Sequence, residues 1–144
     1  MLEKSDFLDL VPHAGDMCLL DGVVSFDDDT IHAFSTSHGS PTHPLRGERG
    51  LHAVHLAEYG AQATAVHGAL RARCGGDAPP RPGMLVSLRG LKLALERIDD
   101  LHGRLDVYAQ CLIADGSGAQ YTFRVVHDGR DIASGRAAVI HPPM

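Results

Sequence analysis

The sequence predicts an α+β domain in which one long central helix is wrapped by a curved antiparallel β-sheet. Three observations carry that expectation. The segment from about Leu51 to Arg73 reads as one helix built mostly of Ala, Gly and other small residues. Two short segments of strand character precede it, and a meander of three or four long strands follows it. A single helix of small residues needs a surface that wraps it, and one curved antiparallel sheet supplies that surface.

Each element has its own signal. Phe7, Leu8, Leu10 and Val11 predict a short amphipathic helix that stops before Pro12. Cys18 to Phe26, apolar and β-branched, predicts a strand; Asp27-Asp28-Asp29 supplies a turn, and Thr30 to Thr36 alternates like the returning strand of a hairpin. Residues 37–50, rich in Ser, Pro, Gly and Arg, read as loop. The central helix follows, and the Gly- and Pro-rich run of residues 74–83 breaks it. Leu85 to Leu95 then alternates imperfectly. Arg104 to Ala114 carries Leu105, Val107, Ala109, Cys111 and Ile113 on one face, and Asp115-Gly116-Ser117-Gly118 predicts a hairpin turn. Tyr121, Phe123 and Val125 share a face of the next strand, Asp128-Gly129 is another turn, and Ile132 to Ile140 closes the sheet. The tail His141-Pro142-Pro143-Met144 reads as frayed. Residues 1–144 therefore read as a single domain without internal repeat.

Composition narrows the function classes. At 144 residues, with 44% hydrophobic and 22% charged residues, the chain suits one soluble globular domain with a real core. No run approaches a membrane-spanning length, and the first residues lack the pattern of a signal peptide, so a cytoplasmic location is expected. Cys18, Cys74 and Cys111 are odd in number and scattered, which fits reduced thiols better than a disulfide frame or a zinc site. A net charge of -5, with Lys4 and Lys92 the only lysines, argues against general nucleic-acid binding. Ten histidines are many, yet none forms an HExxH pair.

Glu58 is the residue that needs explaining. A carboxylate inside a wrapped helix carries a large desolvation penalty unless it is paired or its altered acidity has a use. Gln62, one turn on, and His55, three residues before, can share its face. His52 and His55 at i, i+3 with Glu58 also suggest metal ligands, but three ligands on one helix without a partner site are poor evidence, and no metal is expected.

Several segments resemble β-hydroxyacyl-acyl-carrier-protein dehydratases of the hotdog superfamily. Leu10-Val11-Pro12-His13 followed by Met17-Cys18-Leu19-Leu20-Asp21-Gly22-Val23 resembles their opening Pro-His turn and apolar strand. His55-Leu56-Ala57-Glu58-Tyr59-Gly60-Ala61-Gln62 resembles their central-helix motif. The likeness is greatest to the divergent branch of aryl-polyene and xanthomonadin-like pigment clusters, through Ser37-His38, Thr42-His43-Pro44-Leu45-Arg46 and Glu58-Tyr59-Gly60-Ala61-Gln62. It extends over most of the chain in order and implies the hotdog fold. The Gly-His-Phe-Pro-Gly loop of the familiar enzymes is missing, so two histidines compete for its catalytic place. His43 lies fifteen residues before Glu58, near the familiar spacing; His38 lies twenty before it, in a Ser-His context that fits the pigment branch better, and is preferred.

The resemblance implies dehydration of a 3-hydroxyacyl thioester carried by an acyl carrier protein on phosphopantetheine, with no other cofactor. A neutral imidazole suits removal of the C2 proton, and a carboxyl of raised pKa suits protonation of the leaving hydroxyl. His and Glu are then expected to meet across a homodimer or a heterodimer with a related subunit. Free N–H groups in the first helical turn, around His52, Ala53 and Val54, are expected to polarise the thioester carbonyl. His13 is expected to support the site, and His67 to serve packing or an interface. Arg46, Arg49, Arg71, Arg73 and Arg81 flank the helix ends; solvation is the bland reading, a docking patch for an acidic carrier the sharper one. Two further readings stand beside the first: a hotdog acyl thioesterase, and a catalytically silent subunit that binds acyl carriers.

Overall fold

The chain's hairpins are set by local chemistry before any long-range packing. In the computed structural model, which describes residues 2–7, 18–75, 84–115 and 117–140, Asp27 Oδ1 accepts the backbone N–H groups of Asp29 and Thr30 at 2.9 and 2.7 Å. That Asx turn joins β2 (Gly22–Phe26) to β3 (Thr30–Ser35). Asp115 Oδ1 does the same for Ser117 and Gly118 between β5 (Leu105–Ala114) and β6 (Gly118–His127). Asp128 and Gly129 both take positive φ, 52° and 77°, the backbone a tight hairpin requires before β7 (Arg130–Ile140).

With β1 (Leu2–Glu3) and β4 (Met84–Leu93), the described strands form one antiparallel sheet in the order β1-β2-β3-β5-β6-β7-β4. A short helix, α1 (Lys4–Phe7), follows β1 and starts earlier than expected; its predicted continuation to Val11 lies outside the described residues. Cys18 to Leu20 are buried as expected but do not join the ladder, which begins at Gly22. The strand after the helix ends at Leu93 rather than Leu95. The last strand starts two residues early, at Arg130, because the tight turn lets pairing begin at once, with His127 opposite Arg130. The Gly- and Pro-rich run 76–83 and the tail 141–144 lie outside the described residues.

The helix α2 spans Leu56–Gly75 and is preceded by a 3-10 turn, Ala53–His55. Sequence placed its start near Leu51, but Leu51 is held in a bridge to the 96–98 segment, with Ile98 N–H on the Leu51 carbonyl and Ala53 N–H on that of Glu96. α2 lies across one sheet face, burying Tyr59, Ala63, Val66 and Leu70 against Ile31, Val107, Phe123 and Val125. Gly60 makes the closest approach: a Cβ there would stand 2.3 Å from the Phe123 ring. One stripe of the helix stays partly open, through Glu58, Ala61, Ala65, Gly68 and Arg71. Val54, in the lead-in turn, is exposed in line with it.

Candidate active site

The loop after β3 folds back onto the N-terminal half of α2. Residues 37–39 form a 3-10 turn that buries His38, and His43 is buried a few residues later. The two histidines are held differently. His38 Nε2 lies 3.0 Å from the Leu101 carbonyl, which can only accept a hydrogen bond, so the neutral ring carries its hydrogen on Nε2. Its Nδ1, buried, has no hydrogen-bond partner among the described residues. Burial lowers the His38 pKa below the usual histidine range, and the Leu101 carbonyl opposes that shift. The result is a neutral imidazole of fixed tautomer with an unused lone pair.

His43 has no such freedom. Its Nδ1 accepts the Leu45 N–H at 3.0 Å, so Nε2 carries the hydrogen and donates it to the Tyr59 hydroxyl, also at 3.0 Å. Burial depresses its pKa first, with the charges of His55, His38 and Arg46 adding to it. Tyr59, fully buried, has its hydroxyl pKa pushed up to about 12 by desolvation. That hydroxyl also meets Ser37 Oγ at 2.7 Å, and Ser37 Oγ meets Ser35 Oγ at 2.8 Å. Ser35 Oγ in turn donates to the Leu19 carbonyl.

Glu58 is partly buried within the single chain, at the head of the open stripe. Gln62, expected to steady it, is buried and accepts the Leu19 N–H on Oε1 at 2.8 Å, fixing the lead into β2. His55 is partly exposed and close enough to His43 to disfavour its protonation. The expectation of free N–H groups in the first turn is corrected. His52 Nδ1 accepts the Val54 N–H at 2.9 Å as an N-cap, Ala53 N–H is taken by Glu96, and His55 N–H by His52. These donors are spent on building the helix entrance. His13 lies outside the described residues.

Other candidates are bound elsewhere. His67 is fully buried between the Tyr121 hydroxyl and the Asp27 carbonyl, which matches a packing role. Arg46 reaches Asp99 at 3.7 Å, and Arg71 lies 3.6 Å from Cys111 Sγ; Arg73 and Arg81 have no described side chains. Cys18 and Cys111 are free thiols.

Sequence reading passed over four contributors. The Leu101 carbonyl that orients His38 leaves no trace in side-chain type. Asp99 accepts Leu51 N–H at 3.0 Å and binds Arg97 at 2.8 Å, bracing the segment before α2. Its partner Arg97 holds the Asp99 carboxyl well below the usual range. Tyr59 and Ser37 stood inside the quoted motifs, and their hydroxyls were the available signal.

The fold resembles that of known proteins. The "Dehydratase Heterocomplex ApeI:P" of Xenorhabdus doucetiae superposes with a TM-score of 0.83 at 23% identity, over 93% of this chain and 89% of that one. A "Hypothetical Thioesterase Protein" from Streptococcus pneumoniae, solved with coenzyme A, gives 0.63 at 10% identity, over 98% of each chain. A putative thioesterase from Shewanella oneidensis gives 0.66 at 10%, over 97% and 94%. These likenesses establish the hotdog fold that the sequence implied. No curated protein sequence matches the chain. The ApeP-like family, described as ApeP dehydratase, matches residues 5–144, and the chain therefore belongs to this family of hotdog dehydratases.

Proposed function

We propose that the protein dehydrates a 3-hydroxyacyl thioester carried by an acyl carrier protein, in polyene or fatty-acid-type biosynthesis, with His38 as base and Glu58 as acid. The observation that carries this reading is the contrast between the histidines. His38 keeps an unused Nδ1 lone pair on a ring whose hydrogen is fixed by Leu101, whereas both His43 nitrogens are engaged. His38 Nδ1 takes a proton from C2, the C2 electron pair forms the C2–C3 double bond, and the C3 hydroxyl leaves as water with the Glu58 proton. Proton return from His38 to Glu58 through solvent resets the pair. The substrate rides on phosphopantetheine, and the chemistry asks for no other cofactor.

Glu58 lies on the open stripe of α2, and β4 is the last strand of the sheet, with one side of its ladder unpaired among the described residues. Leu88 of β4 is exposed. Both features support pairing with a second hotdog subunit, identical or related, so that His38 of one chain works with Glu58 of the other. Burial of Glu58 by that partner would raise its pKa toward the value an acid needs. Among the described residues no helix is long and apolar enough to cross a membrane, and we place the reaction in the cytoplasm.

The test is Glu58→Gln in the assembled protein. Loss of enoyl product on the order of a hundredfold or more is expected with the assembly intact. Unchanged turnover removes Glu58 from the mechanism.

A further inference from the structure

The hydrogen bonds around Tyr59 run in one direction only. Ser35 Oγ has the Leu19 carbonyl as a pure acceptor, so it gives its proton there. Ser37 Oγ must then donate to Ser35 Oγ, and the Tyr59 hydroxyl must donate to Ser37 Oγ. Tyr59 is left to accept from His43 Nε2–H, and that is the hydrogen the ring already carries because Leu45 N–H occupies Nδ1. The polarity inferred from either end is the same. Ser37 N–H adds a bond to Ser35 Oγ at 3.0 Å, and Gln62, three residues beyond Tyr59, holds the N–H of the same Leu19.

Two residues of α2 thus latch the segment that ends β3 and begins the His38 turn. The latch is largely buried, with Tyr59 and Ser35 fully enclosed, His43 5% exposed and Ser37 partly buried. In such a setting a bond left unmade by Tyr59, Ser35 or His43 leaves a buried polar group uncompensated, so one arrangement is preferred. Protonating His43 on Nδ1 would oppose the Leu45 N–H, which makes the ring a poor proton acceptor and a good fixed donor.

We propose that Tyr59 and His43 are positioning residues, a directed hydrogen-bond latch that sets the His38 turn against α2. The inference rests on the reading of His38 as the base. Neither residue touches the reacting atoms in this account; both act through Ser37, the neighbour of His38.

The experiment combines activity with amide hydrogen exchange. Tyr59→Phe is expected to lower kcat on the order of tenfold or more while KM stays within about twofold, since a misplaced base affects the chemical step. His43→Ala is expected to match it. His43→Gln, whose amide N–H reaches toward Tyr59, is expected to recover most of what His43→Ala loses, as a proton-transfer role would not allow. His43→Gln as inactive as His38→Ala overturns the inference and assigns His43 to the chemistry. The exchange arm needs no turnover: Tyr59→Phe is expected to speed exchange on the order of tenfold in residues 35–46 while β5 and β6 keep their protection. Unchanged exchange there overturns the latch. Absence of enoyl product from the wild-type protein, with the exchange result as expected, overturns the dehydratase reading and leaves the latch standing.

Discussion

Replacing Gly60 by alanine tests how closely α2 sits on the sheet. The added Cβ would lie 2.3, 2.5 and 2.6 Å from three atoms of the Phe123 ring, where 3.4 Å or more is ordinary contact. The far edge of the ring lies over Gly135, where a Cβ would stand 2.9 Å from Phe123 Cζ, so retreat on that side drives it toward the β7 backbone. Helix and sheet must therefore part by about 1 Å, which places the overpacking cost near the top of the usual ~1–3 kcal/mol. Alanine's better helix propensity returns about 1 kcal/mol, leaving a net loss of about 2 kcal/mol. For a chain of this size that lowers Tm by roughly 6–8 °C. Gly68 is the internal control, since a Cβ there meets nothing within 4 Å. Gly68→Ala should gain about 1 kcal/mol from propensity alone. Urea unfolding of both variants at one protein concentration measures the difference, about 3 kcal/mol with opposite signs. A neutral or stabilising Gly60→Ala would refute the close approach. A destabilising Gly68→Ala that also weakens self-association would show that a partner covers the open stripe.

Two pH dependences follow from the buried histidines. His38, His43 and His67 all have pKa values lowered, chiefly by burial, so the folded chain resists protons that the unfolded chain accepts. Their stabilisation is fully present above the unfolded value of about 6.5 and is lost as pH falls below it, each contributing up to about 1.4 kcal/mol per pH unit. Thermal melts from pH 7.5 down to 5 should show a steep fall in Tm, and a flat profile would contradict neutral burial. In the reaction itself, a base with lowered pKa stays deprotonated in mild acid. The acid limb of kcat/KM should thus lie below the ordinary histidine range, and a limb at or above about 6.5 would point to a different base.

The fold was legible because its signals are periodic or local. Alternation along Leu105–Ala109 and Tyr121–Val125 marked the buried face, whereas a register shift between Cys111 and Ile113 leaves Ile113, expected on that face, exposed; Asp27, Asp115 and Asp128-Gly129 marked the turns. The helix start was misjudged because Leu51 and Ala53 bond to residues 96–98, a long-range bridge with no local sign. The same bridge spends the Ala53 amide that sequence reading offered to the substrate. At the site, residue type singled out His38, His43 and Glu58 but not which imidazole keeps a spare lone pair. That difference between the histidines depends on backbone groups, the Leu101 carbonyl and the Leu45 N–H, which no motif displays. Tyr59 stood inside a quoted motif, and only packing reveals that its hydroxyl links Ser37 and His43.

The central claim is the reaction, and the product formed from a 3-hydroxyacyl thioester tests it most directly. Incubation of the assembled protein should yield the enoyl thioester and leave the thiol acylated, with the rate abolished in His38→Ala. Release of free thiol without enoyl product would contradict the account and assign the fold's thioesterase chemistry to this chain. No turnover, with a stable complex to an active hotdog subunit, would make it the silent partner.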